Sequence, residues 1–269
     1  MNLPSVWLQE LTWEDVELYL KEKDTIIFPV GSTEQHGPAG PLGLDSYVAI
    51  SLAEDVCKQT GILTAPPLWF GDSSHHLEFQ GTISLRTETL IEVTKDVVTS
   101  LCHHGFKKVI VINGHKSANL PALKTALKSL HQDKLDALFA LADPMLLARG
   151  IAKELKETRE HHAGELEVSQ VWHKFPHLIK EDKLTTEEVD LKEIFSEFTT
   201  DDLFGGGGDS IEVFWNSKEQ KQIAPTGSFT PSQAASREKG ARYHDYMVDN
   251  LTRFINWMEN YKGPIGPKN

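Results

Sequence analysis

The sequence predicts an α/β protein, a single domain with a mostly parallel sheet flanked by helices. Short apolar runs at Thr25–Val30, Ile62–Phe70, Lys107–Ile112 and Ala137–Ala142 alternate with amphipathic stretches of helical length. That is the pattern of strand–helix–strand units. The run KKVIVI contains four consecutive β-branched residues, as expected of a strand buried on both faces. Polar, glycine-containing turns, GSTEQH and NGHKSAN, follow two of the runs directly. Parallel sheets keep their working loops there, beyond the carboxyl ends of the strands.

Taken in order, Thr12 followed by Asp15 opens a short amphipathic helix over Trp13–Leu20. After the first strand and a Gly/Pro-rich bend, Asp45 is read as the N-cap of a helix over Asp45–Thr60. Val48, Leu52, Ala53 and Val56 form its apolar face and Gly61 its stop. Ile62–Phe70 reads as a strand leading into the loop GDSSHHLEFQGT, and Thr87–His104 as a helix ended by Gly105. NGHKSAN precedes a helix over Leu120–His131, a strand over Ala137–Ala142 and a helix over Met145–Glu157.

The second half is less regular. Residues 181–202 carry nine Asp/Glu against two Lys, and 181–210 read as an acidic, glycine-rich insertion or a subunit-contact arm on the surface. Gly205–Gly208 lack the GK[ST] of a phosphate loop and read as a hinge. Ile211–Trp215 reads as an edge strand, and a terminal helix runs from a Ser232 cap to about Tyr261. With no repeat and no linker, residues 1–269 form one domain.

At 269 residues, 39% hydrophobic and 25% charged, the composition is that of a globular protein with a sizeable core. A net charge of −12 argues against a nucleic-acid partner. No run approaches the roughly 18 apolar residues of a membrane helix. The opening MNLPSVWLQELTWED has no signal-peptide regions. Cys57 and Cys102 have no CxxC partner and read as reduced thiols of a cytoplasmic protein.

Glu34 and His36 are two apart, so in extended backbone both leave one face. Asp45 adds a second carboxylate, and His115 an imidazole at the exit of a buried strand. In REHHAGELEVSQVWH, His161, His162, Glu165 and Glu167 crowd a helix start. His162 and Glu165 are three apart and are read as sharing a face, with Glu167 a partner of the helix dipole. Glu34, His36, Asp45, His115 and Glu165 thus make a mixed set suited to Zn²⁺ or Mn²⁺. Five ligands are too many for one open catalytic ion, and two ions bridged by Asp45 use all of them. His162 is then the expected proton shuttle.

Four motifs in this order, GSTEQHGPxxPLGxD, GxSxxHxxFxGTISL, NGHxxxN and HAGExExS, resemble the creatininase family of metal-dependent hydrolases. The similarity covers roughly residues 5–255, and PSQAASREKG resembles that family's ending. The resemblance implies a single α/β domain, two Zn²⁺ or Mn²⁺ ions per chain, and often a homo-oligomer, a hexamer built from dimers. Members open cyclic amides such as creatinine, hydrolyse formamides, trim a peptide in redox-cofactor maturation, or ring-open an oxidised inositol. The family's metal ligands map onto Glu34, His36, Asp45 and His115, its catalytic histidine onto His162, and a substrate-contacting serine onto Ser73. His76, Lys116 and His161 complete the expected substrate-binding set.

The chain also departs from that pattern. Ser117 stands where creatininase has a metal-binding glutamate, for which Glu165 is the expected replacement. Lys116 replaces a neutral residue, His75 an acid, and Ala39 a frequent histidine. An intact metal centre in a pocket unlike that of creatininase is therefore implied. The expected activity is hydrolysis of a small polar carbonyl compound, most simply a cyclic amide or formamide. Cleavage of a C–C bond beside the ketone of an inosose is the alternative, which a free Lys116 favours. A catalytically inactive, metal-stabilised binding protein is the alternative of another class.

Overall fold

Strands Thr25–Val30 (β1), Leu63–Thr64 (β2), Lys108–Asn113 (β3) and Leu138–Ala142 (β4) form one sheet in the order β2-β1-β3-β4. Every pairing is parallel. This is a computed structural model that describes residues 3–133, 135–199, 202–204, 211–261 and 263, the Ser117 side chain excepted. The helices are Trp13–Leu20 (α1), Leu44–Thr60 (α2), Thr87–His103 (α3), Lys116–Gln132 (α4), Pro144–Leu147 (α5), Arg149–Leu155 (α6), Glu165–Lys174 (α7), Leu191–Ile194 (α8), Ser217–Ile223 (α9) and Arg237–Asn260 (α10).

Side chains alternate across β1 and β3, so each strand feeds two cores. Ile27, Ile110 and Ile112 meet Leu52, Val56, Val171, Met247, Leu251 and Ile255 beneath α2, α7 and α10. Ile26, Phe28, Val30, Val109 and Val111 meet Tyr19, Leu90, Val98, Leu123 and Leu127 beneath α1, α3 and α4. Each such aliphatic side chain contributes about 1.5–3 kcal/mol by leaving water. The expected doubly covered sheet is what forms.

Several boundaries differ from the sequence reading, each for a local reason. The capping box of α1 is present, with Asp15 N–H donating to Thr12 Oγ1 at 3.2 Å and Thr12 N–H to Asp15 Oδ2 at 2.9 Å. β2 stops after two residues, because Pro66 and Pro67 have no N–H to give a ladder. The segment over Met145–Glu157 breaks into α5 and α6 beside Gly150, the weakest helix former after proline. α4 begins four residues earlier than expected, at Lys116. Ser236, not Ser232, caps α10, accepting the Lys239 N–H at 3.2 Å. Ser232 Oγ instead accepts the Thr185 N–H at 3.1 Å. Ile211–Trp215 is no edge strand, and Ile211 makes only an isolated bridge with Thr199.

Val189 and Leu191 of the acidic segment are buried with Ala224 and Phe229 in a third small core. Gly205–Gly208, read as a hinge, lie outside the described residues. Cys57 is buried, Cys102 half-buried, and both are free thiols. Among the described residues no helix is long and apolar enough to cross a membrane.

Candidate metal centre

β1 and β3 pair in level register, from Thr25↔Lys108 to Val30↔Asn113, so their loops leave the sheet at the same height. Two glycines then let α2 close against both exits. A Cβ on Gly31 would lie 2.4 Å from Ser46 Cα, and one on Gly114 only 2.0 Å from the Asp45 carbonyl oxygen. The first turn of α2 is thereby wedged between GSTEQH and NGHKSAN. The helix cap is Gly43, with no side-chain cap bond, which corrects the assignment of Asp45 as N-cap. Asp45 is the second helical residue, and its carboxylate turns away from the helix N–H groups toward His36 and His115.

Asp45 Oδ1 lies 3.2 Å from His36 Nε2, and Asp45 Oδ2 lies 3.1 Å from His115 Nδ1. His115 Nε2 is 3.3 Å from Glu34 Oε2. Two overlapping triads share Asp45: Glu34–Asp45–His115 and His36–Asp45–Glu167, each with ligand atoms within 4.8 Å of one another. Glu34 Oε2, His36 Nε2 and Asp45 Oδ2 are buried yet make no hydrogen bond. Close approach without hydrogen-bond geometry, at three atoms of one cluster, is what lone pairs aimed at a common cation produce. Buried polar atoms otherwise find partners. The donor set, three carboxylates and two imidazoles, fits Zn²⁺ or Mn²⁺.

Without a cation, protons carry the compensating charge. Burial disfavours the charged form of His36, but Asp45 outweighs it and pushes the imidazole up to about 9. Burial acts likewise on His115, where Glu34 and Asp45 win and raise it to about 10. Burial lifts the Glu34 carboxyl to about 7, though His115 pulls it the other way. Asp45 is buried too, but His36 and His115 hold its carboxyl well below the usual carboxylate range.

His162 Nε2 lies 2.7 Å from the Gln35 carbonyl oxygen and 2.8 Å from the Gln35 side-chain amide nitrogen, and donation to the carbonyl makes Nε2 the protonated nitrogen. Nδ1 is left as a base facing the cluster, 3.7 Å from Glu34 Oε1. Burial, helped by His36, keeps its pKa well below that of a free histidine. His76 reaches Glu34 Oε1 at 3.5 Å through Nε2, while the amides of Gln35 and Gln220 approach its Nδ1 at 2.9 and 2.5 Å. Ser73 Oγ meets Ser32 Oγ and stands 3.5 Å from His115 Nε2. His75 stacks on His115, and burial drives its pKa down to about 4. His161 lies farther out, stacked on Phe229 with its N–H donated to Thr230 Oγ1 at 3.2 Å.

Two expected residues stand elsewhere. Glu165 does not join the cluster: its carboxylate is engaged by Lys239, and Oε2 accepts the Glu157 N–H at 3.0 Å. Lys116 is no free substrate contact, because its ammonium abuts Glu167 Oε1. The i,i+3 argument for Glu165 required a continuous helix from His162, and the chain is not helical there. Ala163 has φ 58°, Gly164 is the N-cap, and Glu165 is the first helical residue. Glu167 points inward instead, with Oε2 accepting the Ala163 N–H at 2.8 Å.

Glu160 stands in for the missing cap side chain. It accepts the N–H groups of Leu166 and Glu167 at 3.0 and 3.2 Å, and burial pushes its carboxyl up to about 8. Sequence reasoning also missed the roles of Gln35 and Gln220. The glycine preceding Glu165, a usual helix boundary, was the signal available for Glu167.

A family model described as creatininase, creatinine amidohydrolase, matches residues 9–255. A 3-dehydro-scyllo-inosose hydrolase of Thermotoga maritima is 39% identical over 111 residues, 41% of this chain and 36% of that protein. The mycofactocin precursor peptide peptidase of Mycobacterium ulcerans is 32% identical over 253 residues, 90% of this chain and 88% of its own. The structure of a mutant creatininase of Zn-Zn type superposes with TM-score 0.79 at 22% identity, covering 96% of this chain and 100% of that one. The two overlapping triads thus lie in a fold shared with creatininase, and the chain belongs to the creatininase family.

Proposed function

We propose that the protein is a hydrolase using two divalent cations, Zn²⁺ or Mn²⁺, on a small polar carbonyl compound, most simply a cyclic amide or formamide. The observation that carries this is the pair of triads sharing Asp45, with three buried donor atoms left without hydrogen bonds. Glu34, Asp45 and His115 would hold one ion, and His36, Asp45 and Glu167 the other. Cations bound there polarise the carbonyl and acidify water.

The chain's own groups supply the rest. His162 Nδ1 takes the proton of the attacking water and hands it to the departing nitrogen, its Nε2–H fixed on the Gln35 carbonyl. Ser73, His75 and His76 stand against Glu34 and His115 as neutral hydrogen-bonding groups for a substrate. Glu34 and Asp45 are only 1% and 2% exposed, which suits a small molecule better than an extended chain.

The alternative, C–C cleavage in an inosose, is favoured by the 111-residue similarity to a hydrolase of that class. It loses the support of a free Lys116, whose charge is spent on Glu167. Purified protein assayed on cyclic amides, formamides and inososes, with and without a chelator, separates the readings. Amide turnover that chelation abolishes and Zn²⁺ or Mn²⁺ restores is the expected outcome. Turnover indifferent to chelation would sink the proposal, and turnover of inososes alone would transfer it to the alternative.

A further inference from the structure

We propose that Lys116 is a built-in competitor for the second cation, so that the two metal positions load unequally and the weaker one is set by this residue. The inference rests on the proposed metal centre and goes beyond it. The two triads are not equivalent. The ligands Glu34 and His115 belong to one position alone and have no lysine or arginine against them among the described ion pairs. Glu167, the carboxylate special to the other, carries the Lys116 ammonium on Oε1 and the Ala163 N–H on Oε2. One positive charge is already on the carboxylate that a second cation needs, and a second positive charge nearby opposes a further one.

The ammonium is held by charge more than by hydrogen bonding. Lys116 Nζ is buried and makes no hydrogen bond of acceptable geometry, a poor resting place for a group with three donors. It also has somewhere to go. A small cavity of about 20 Å³ lies beside it, lined by Asp45, Asn113, Asp143, Glu167 and Tyr243 among others. That is room for about one water or one ammonium. Asp143 supplies a second carboxylate there, bound at present only through Oδ1 to the Met145 and Leu146 N–H groups at 3.1 and 3.3 Å. When a cation arrives between His36, Asp45 and Glu167, Lys116 leaves Glu167 for the void and Asp143.

The position of Lys116 ties it to the centre. It directly follows the ligand His115 and opens α4, so its backbone is fixed by the same turn that places a ligand. A neutral side chain there would leave both positions free to fill alike.

The test is a stepwise metal titration of the full-length protein. Metal-free wild type, Lys116→Met and Lys116→Gln are titrated with Zn²⁺, and separately with Mn²⁺, against a fluorescent chelator. The wild type is expected to bind two ions in well-separated steps. Both variants should tighten the second step by about 10- to 100-fold, the scale on which one nearby charge changes the affinity of a carboxylate for a cation. The first step should stay within about threefold, because among the described ion pairs the Lys116 ammonium meets none of Glu34, Asp45 and His115. A wild type that holds one ion while the variants hold two is the same result at its limit. A second step that is unchanged or weakened, or two steps shifting together, overturns the role of Lys116 and leaves the metal centre standing. Absence of bound ions in all three proteins overturns the centre itself, and this inference with it. Thermal melts of the metal-free variants guard against misfolding, and two replacements of different shape keep the result independent of either.

Discussion

The strand exits and the start of α7 deliver side chains to one centre by different means. At the exits, the level register of β1 and β3 and two glycines that admit the first turn of α2 place Glu34, His36, Asp45 and His115 through the backbone. At α7 the backbone is irregular, and side chains do the positioning. Ala163 takes a left-handed conformation, Glu160 caps the helix from outside, and Glu167 is steadied by the Ala163 N–H. Periodicity is a sound guide on the first kind of scaffold and a poor one on the second. The contrast also separates the residues proposed to hold metal from those proposed to move protons or to brace.

The widest separation is expected at His162. Replacing it by Ala should lower kcat by about 10²–10⁴-fold while metal content by elemental analysis stays near that of the wild type. Metal lost in step with activity would make His162 a ligand and place the α7 start on the same footing as the strand exits.

Next come the two glutamates of α7. Glu167→Gln should release about one ion per chain and most of the activity. Glu165→Gln should keep the metal and instead lower stability by about 1–3 kcal/mol, through loss of charge opposite Lys239. Reversal of the two phenotypes would restore the i,i+3 reading of HAGELE.

How much was legible divides along the same line. The parallel sheet and its helices follow from apolar runs and periodicity, and the four candidate ligands Glu34, His36, Asp45 and His115 follow from polar residues at the strand exits. Glu165 was misplaced because nothing in HAGELE announces that Ala163 leaves the right-handed region, and the inward glutamate is displaced by two positions as a result. β2 was overextended because a run of apolar residues was weighed above Pro66 and Pro67. The Lys239–Glu165 contact spans most of the second half of the chain, and no local pattern could reveal it.

A smaller effect follows from the protons at the strand exits. Without metal, His36 and His115 are pushed up to about 9 and about 10 from 6.5. Groups raised on folding stabilise fully below the unfolded value, and that share is lost as pH climbs through the folded value. Glu34, raised from 4.5 to about 7, has the same sign at lower pH. The Tm of chelated protein should therefore fall between pH 6.5 and 10, whereas cation affinity should rise over that range as protons cease to compete. Melting curves with and without chelator that shift in parallel would contradict this assignment of charge.

The smallest change is at Ala163. Its φ of 58° is costly for any residue with a Cβ, and Ala163→Gly should raise stability by up to about 1 kcal/mol. A loss of stability there would mean that the alanine methyl contributes more by packing than its conformation costs.

Gly31 and Gly114 have a consequence for how freely this site can vary. Neither has a side chain to offer, yet each occupies a gap in which a single methyl group would strike the first turn of α2. A library of random variants selected for turnover would find these positions as closed as those of the ligands, for want of 2–3 Å rather than for want of chemistry. Anyone transplanting the ligand set onto another parallel sheet would have to bring both hydrogen atoms along, because the width of the centre is set by what those residues lack.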